Sequence, residues 1–300
     1  MHSLTRFADN VVARHADLML LGVAIVWGTS YGVAKGALLF YPVLGFLAIR
    51  FLLTFILLLP ALRDQPLRSL LPGLPLGLVL LTIFLCETYG VAITTASNAA
   101  FLISLCVVFT PLVEWWVFKQ RPPGSAFVAA SVSLSGALLL TQAGQIELNL
   151  GDCLMIAAAL CRAFMVCLTK KLTQGTEVSA FALTAVQTGV VGMGSLAVFV
   201  LAPGPLPALP ADSAFWIATL YLVIFGTLFA FFAQNYAVRR TTPTRASLLM
   251  GSEPLFGALF ASLWLSEQLS LVAWAGGLLI VAASIWASWP RSREVLRCPT

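Results

Sequence analysis

Apolar residues in this chain come in long blocks, with polar residues gathered between them. Ten blocks of about 20 residues can be marked, at 18–38, 42–62, 74–94, 97–118, 125–142, 152–170, 178–201, 213–235, 245–265 and 270–289. A helix needs about that length to cross the hydrocarbon of a bilayer. The blocks are too long for strands and lack period-2 alternation. Connectors as short as 94–96 make neighbouring blocks antiparallel hairpins. The pattern predicts an all-α integral membrane protein with ten transmembrane helices. No cleavable signal is expected, because the first block, flanked by Arg6 and Arg14, runs apolar to Leu39 without a small-residue cleavage site.

Composition agrees. The chain has 300 residues, 60% of them apolar and only 10% charged, too little charge to coat a soluble surface. Basic residues exceed acidic ones, 17 to 12. They sit singly or in pairs between blocks and form no stripe, so nucleic acid is not an expected partner. Their placement alternates instead. Arg6 and Arg14 precede block 1. Arg63 and Arg68 follow block 2, Lys119 and Arg121 follow block 4, and Lys170 and Lys171 follow block 6. Arg239, Arg240 and Arg245 follow block 8, and Arg291, Arg293 and Arg297 follow block 10. Only Lys35, Arg50 and Arg162 of the 17 lie within blocks, and the alternate connectors carry none. The positive-inside rule places both termini in the cytoplasm. The cysteines have no metal-ligand spacing and read as small packing residues, and no cofactor is expected.

The chain also repeats itself. Residues 87–102 read ETYGVAITTASNAAFL, and residues 234–249 read QNYAVRRTTPTRASLL, 147 positions on. Tyr, Val, Thr, Thr, Ala and Leu match without a gap. The same offset sets Gln120 on Glu267 and Gly136 on Ala283. Each half holds five blocks, an odd number, so the second half enters the membrane inverted. Only the copy on the cytoplasmic side needs arginines. The chain divides into repeats at 1–145 and 146–300, packed around a central cavity. This is a secondary-transporter architecture, with its substrate site near the midplane.

At this point the residues resemble the drug/metabolite transporter superfamily, EamA branch. Trp27-Gly28-Thr29-Ser30 resembles the family's opening, and Ala48-Ile49-Arg50-Phe51 its Arg-Phe pair. Ala246-Ser247-Leu248-Leu249, then Glu253-Pro254 and Glu267-Gln268-Leu269, resemble its most recognisable line. Gly151-Asp152 with Leu154, then Ala158-Ala159, resembles the start of its second repeat. The resemblance implies a carrier working by alternating access, usually exporting small metabolites. Within the family the chain is similar to amino-acid exporters of the YddG type, which favour aromatic and other neutral amino acids. One departure stands out. Arg162 occupies the place where the second repeat usually has Trp, and Trp27 fills the corresponding place in the first.

Several side chains stand at depth. Arg162 lies about ten residues into block 6, roughly 15 Å deep at 1.5 Å per residue. It either grips a substrate carboxylate or pairs with Glu87 or Glu253, and both readings turn it inward. Arg50 lies in block 2 and suits a structural or gating role, partnered by Glu87 or by backbone carbonyls. Glu253, before Pro254, is either a proton-coupling carboxylate or half of an ion pair at a kink. Trp27, Tyr31 and Tyr89 offer stacking surfaces for a substrate side chain. Gln187 and Ser252 are polar at depth and either bind substrate or satisfy backbone. Lys35 and Glu114 lie near block ends and are expected to snorkel. Trp115, Trp116, Trp286 and Trp289 read as lipid-facing or interfacial. Gly28, Gly32 and Gly36 line one face of block 1 as a packing seam or a sliding surface. Ser131, Ser135, Gly136, Gly276 and Gly277 would permit a homodimer; a monomer is equally open.

Other classes fit less well. Both histidines, His2 and His15, precede block 1, so no intramembrane Ser–His pair exists. No phosphate-binding Gly-x-x-x-x-Gly-Lys-Ser/Thr loop is present, which excludes an ATP-driven pump in this chain. An enzyme is not expected. A channel is weighed against a carrier by flux, linear for one and saturable for the other. The expected function is export of small metabolites, most of all neutral or aromatic amino acids, across a bacterial cytoplasmic membrane. Its partners are then a small-molecule substrate and the lipid bilayer. The runner-up is export of amphipathic cations, for which Glu253 and the aromatic residues would serve.

Overall fold

The computed structural model describes residues 2–63, 65–94, 96–141, 149–203, 205–264 and 270–288; side chains of 2–13, 95–98, 261, 263–269 and 287–300 are outside that description. Glu267-Gln268-Leu269, Trp289, Arg291, Arg293 and Arg297 therefore lie beyond the described residues.

The described residues form helices α1 (His2–Ala37), α2 (Val43–Leu58), α3 (Leu67–Leu70), α4 (Gly73–Ile93), α5 (Ala96–Ser104), α6 (Cys106–Phe118) and α7 (Gly124–Thr141). The second half holds α8 (Leu150–Thr173), α9 (Ala180–Leu201), α10 (Ser213–Tyr221), α11 (Ala230–Val238), α12 (Pro243–Met250), α13 (Glu253–Trp264) and α14 (Leu271–Ser288). A 3-10 turn, Leu59–Leu62, extends α2, and a π-helix, Leu222–Phe229, joins α10 to α11. Eight spans among the described residues are long and apolar enough to cross a membrane, and a shorter apolar helix covers Leu271–Trp286. The ninth span is α12 plus α13, broken between them. Leu18, Leu57, Leu78, Trp115, Trp116, Ile217, Leu278 and Trp286 are exposed along the helices, as lipid-facing side chains should be.

The first helix is longer than the 18–38 block, because its polar first turns continue the same helix from His2. The fourth span is not continuous. It breaks at Leu105, between α5 and α6. The ninth breaks at Gly251–Ser252, just before Pro254. Under the 147-residue offset Leu105 and Ser252 are the same position, so both halves carry the interruption.

Packing across the halves comes in matched pairs. Helix α1 packs on α11, and its counterpart α8 packs on α4. Helix α1 also packs on α13, and α8 on α6. Helices α2 and α9 pack on each other, as do α7 and α14; each is a helix against its own counterpart. This is the two-fold relation of two inverted five-helix repeats. In lipid such contacts rest on close packing rather than on water exclusion. A Cβ on Gly136 would stand 2.6 Å from the Gly276 carbonyl, and one on Gly276 would stand 2.5 Å from that of Gly136. These two glycines are therefore used within one chain and offer no face for a dimer. Gly277 packs on Leu255, while Ser131 and Ser135 stay exposed.

The second repeat opens on a capping box. The Asn149 side chain accepts from the Asp152 N–H, and the Asp152 carboxylate accepts from the Asn149 N–H. Asp152, fully buried, also accepts from the Thr94 hydroxyl at the end of α4. Gly151 lets that helix start sit against Gly90 and Thr94 of α4.

Candidate functional site

Between the halves lies a cavity walled by α1, α2, α4, α5, α6, α8, α11, α12 and α13. Both helix breaks reach it, through Ser104 and Cys106 on one side and Gly251 and Glu253 on the other. A discontinuous helix leaves backbone groups unpaired and is tolerated in a membrane where it is buried in protein or lines a cavity.

Four side chains of the Arg and Glu type stand in the wall: Arg50, Glu87, Arg162 and Glu253. Arg162, from the middle of α8, meets Glu253, in the first turn of α13. Its Nη2 donates to Oε1 at 2.7 Å and its Nη1 to Oε2 at 3.1 Å. The bond is bidentate, and the Glu253 side chain is only 5% exposed. Tyr31 Oη lies 3.5 Å from both Glu253 Oε2 and Arg162 Nη1, at the edge of hydrogen bonding. The Arg162 guanidinium lies over the Trp27 ring, 4.5 Å from its centroid. Of the two partners that depth allowed for Arg162, the geometry takes Glu253. The departure from Trp at this position also acquires a reason, since the cation stacks on the aromatic residue that replaces it in the other half.

Arg50 is held differently. Its Nε donates to Thr227 Oγ1 at 2.7 Å and its Nη2 to the Gly226 carbonyl at 3.2 Å. Its guanidinium sits 5.3 Å from the Phe51 ring centre and 5.2 Å from that of Phe84. Both acceptors belong to the π-helix, whose wider turn disturbs the ordinary ladder. The Gly226 carbonyl accepts a second bond, from Trp27 Nε1 at 3.1 Å. Thr227 Oγ1 in turn donates to Leu222 O, five residues back, at 2.8 Å. Of the two options open to Arg50, a backbone carbonyl, joined by the Thr227 hydroxyl, rather than a Glu87 ion pair holds it. The π-helix itself was not expected from sequence; an apolar run containing a single Gly-Thr gives no periodic warning of it.

Trp27, Tyr31, Arg50, Glu87, Arg162 and Glu253 thus converge on one cavity. Three expected residues do not line it. Tyr89 is on α4 but 38% exposed, because it lies two positions from Glu87 and so on another face. Gln187 is fully buried between α9 and α11, where its Oε1 accepts from Asn235 Nδ2 at 2.7 Å. Ser252 turns back to the Leu249 carbonyl at 2.7 Å and satisfies the break in span nine. Gln234, Ser247, Phe84 and Phe231 line the cavity and were not singled out by sequence. The offset could have found Gln234, which is the counterpart of Glu87.

Gly28 alone of its seam is a close contact, since a Cβ at that position would stand only 2.6 Å from the Glu253 carbonyl. Gly32 and Gly36 face open space. Glu114 is no snorkelling residue, for its carboxylate accepts from the Thr244 N–H and hydroxyl. Lys35 is exposed as expected.

The model of the EamA-like transporter family matches residues 14–142 and again 149–289. The chain belongs to the EamA-like transporter family. It is therefore a multi-pass membrane transporter. An uncharacterized transporter of Archaeoglobus fulgidus is 28% identical over 287 residues, covering 94% of this chain and 88% of the relative. The uncharacterized inner membrane transporter YedA of Escherichia coli K12 is 28% identical, covering 88% and 87%. A probable terminal-alkyne amino-acid exporter of Streptantibioticus cattleyicolor is 25% identical, covering 74% and 73%. One solved crystal structure superposes with a TM-score of 0.75 at 16% identity, covering 91% of this chain and 96% of its own, a likeness of fold.

Proposed function

We propose that this family member is a secondary carrier that exports small metabolites, most of all neutral or aromatic amino acids, by alternating access. It sits in a bacterial cytoplasmic membrane with both termini inside. The observation that carries the reading is the charge balance of the cavity. Two guanidinium groups and two carboxylates face one space, beside an aromatic wall of Trp27, Phe84 and Phe231. A net-neutral zwitterion with an apolar side chain suits that lining. A permanent cation would meet two arginines. The amino-acid exporter among the relatives supports the same class.

The Arg162–Glu253 pair supplies the carboxylate site. A substrate carboxylate that enters the cavity competes with Glu253 for the guanidinium fork, and Trp27 keeps the guanidinium in place. Reconstituted protein tests this. Exchange of a neutral amino acid should saturate in the wild type. Arg162→Gln combined with Glu253→Gln, which leaves no buried unpaired charge, should lose exchange at normal abundance. Unchanged exchange in that double variant would contradict the reading.

A further inference from the structure

Glu87 and Gln234 each bring to the cavity an acceptor that no described residue satisfies. Glu87, on α4, lines it within electrostatic reach of Arg162, Glu253 and Arg50, yet no described residue gives its carboxylate a hydrogen bond or an ion pair. Gln234, on α11, lines the same cavity at 6% exposure, and its buried Oε1 has no hydrogen-bond partner among the described residues. The two are counterparts under the 147-residue offset, so the inverted repeat presents one acceptor from each half to a shared space.

Both Arg162 Nη atoms go to Glu253, and Arg50 Nε and Nη2 go to Thr227 and Gly226. None of these bonds reaches Glu87 or Gln234 Oε1, so both acceptors stay open to a ligand's donors. Burying an acceptor without a partner is costly, which applies to Gln234 Oε1, while Glu87 is half-buried and opens onto the cavity. A ligand that brings several N–H donors and one positive charge would satisfy both groups at once. We infer that Glu87 and Gln234 form the subsite for the primary ammonium group of the substrate, Glu87 supplying the charge and Gln234 a neutral acceptor from the other half. A side chain contributed by each half also gives the substrate a different set of partners as the halves rock, so the subsite is remade in each conformation.

This assignment deepens the amino-acid reading and rests on it for the carboxylate, but the ammonium subsite is separable. The test is counterflow in liposomes with L-phenylalanine, phenethylamine, 3-phenylpropanoate and N-acetyl-L-phenylalanine, on wild type, Glu87→Gln, Gln234→Leu and the exchange variant E87Q/Q234E. Abundance and monodispersity are read for each. The inference expects the wild type to reject 3-phenylpropanoate and the N-acetyl compound. It expects Glu87→Gln to raise the half-saturating phenylalanine concentration about tenfold to a hundredfold, the worth of a charge-assisted hydrogen bond. Gln234→Leu should give a smaller rise. E87Q/Q234E, which moves the carboxylate to the counterpart position, should recover part of the loss, a result that a merely structural Glu87 would not give. Phenylalanine transport unaltered in both single variants, or free acceptance of 3-phenylpropanoate, would overturn it. Should Glu87→Gln fail to fold, Gln234→Leu with unaltered affinity overturns it equally. If the wild type moves phenethylamine and not phenylalanine, the amino-acid reading fails while the ammonium subsite stands on the Glu87→Gln effect. If it moves neither, both fail.

Discussion

At the scale of residues, the central feature is a buried ion pair on an aromatic ring. Removing one partner of such a pair leaves the other charge buried, at a cost of about 3–5 kcal/mol. Arg162→Gln alone should therefore lower Tm and abundance, and Arg162→Gln with Glu253→Gln should recover most of the loss in a thermal-shift measurement. Equal Tm for the single and the double variant would mean that the two side chains do not interact. Arg50→Lys should also be damaging. A lysine supplies the charge but not the fork that reaches Thr227 Oγ1 and Gly226 O together. A drop in stability of about 1–3 kcal/mol is expected from the lost charge-assisted bonds. The sequence made Arg162 and Glu253 visible, because a charge in the middle of an apolar block has to face inward. It left Glu87 and Glu253 as rival partners, since depth fixes height in the membrane but not the direction around a helix bundle. Tyr89 was misplaced for the same reason.

At the scale of elements, the spans were legible and one of the two interruptions was not. Hydropathy averages over a helix and is blind to the break at Leu105, which no proline or glycine marks. The break before Pro254 was marked by that proline and by Gly251. Glycine gives the sharpest contrast between packing and spacing. Gly28, Gly32 and Gly36 share a face by sequence, but only Gly28 abuts a neighbour, the α13 backbone at Glu253 and Gly257. Gly36→Ala should be neutral or stabilise by about 0.5–1 kcal/mol, the ordinary helical gain over glycine. Gly276→Ala, with its Cβ 2.5 Å from the Gly136 carbonyl, should push α14 off α7 and destabilise by about 1–3 kcal/mol. Tm of the two variants in one detergent checks the pair of expectations.

At the scale of the whole molecule, the end bearing the basic connectors is tied across the halves. Arg245 on α12 grips Asp17 on α1, with Nη2 to Oδ2 at 2.5 Å and Nε to Oδ1 at 3.1 Å. Glu114 on α6 holds Thr244 at the start of α12. Under the proposed alternating access these ties open. Arg245→Gln with Asp17→Asn should raise the rate at which Cys106, in the cavity wall, reacts with a thiol reagent applied from that end. An unaltered rate would place the moving contacts elsewhere. The inverted repeat and its central cavity could be read from one duplicated phrase and a charge alternation, because both are one-dimensional. The full lining of the cavity could not, because it depends on which helices of opposite halves meet. The most direct measurement is counterflow of labelled L-phenylalanine into liposomes holding the purified wild-type protein. Saturable uptake, accelerated by unlabelled neutral amino acids inside and unaffected by a cationic dye, is the expected result. Uptake linear in concentration, or uptake of the dye without the amino acid, would contradict an amino-acid carrier.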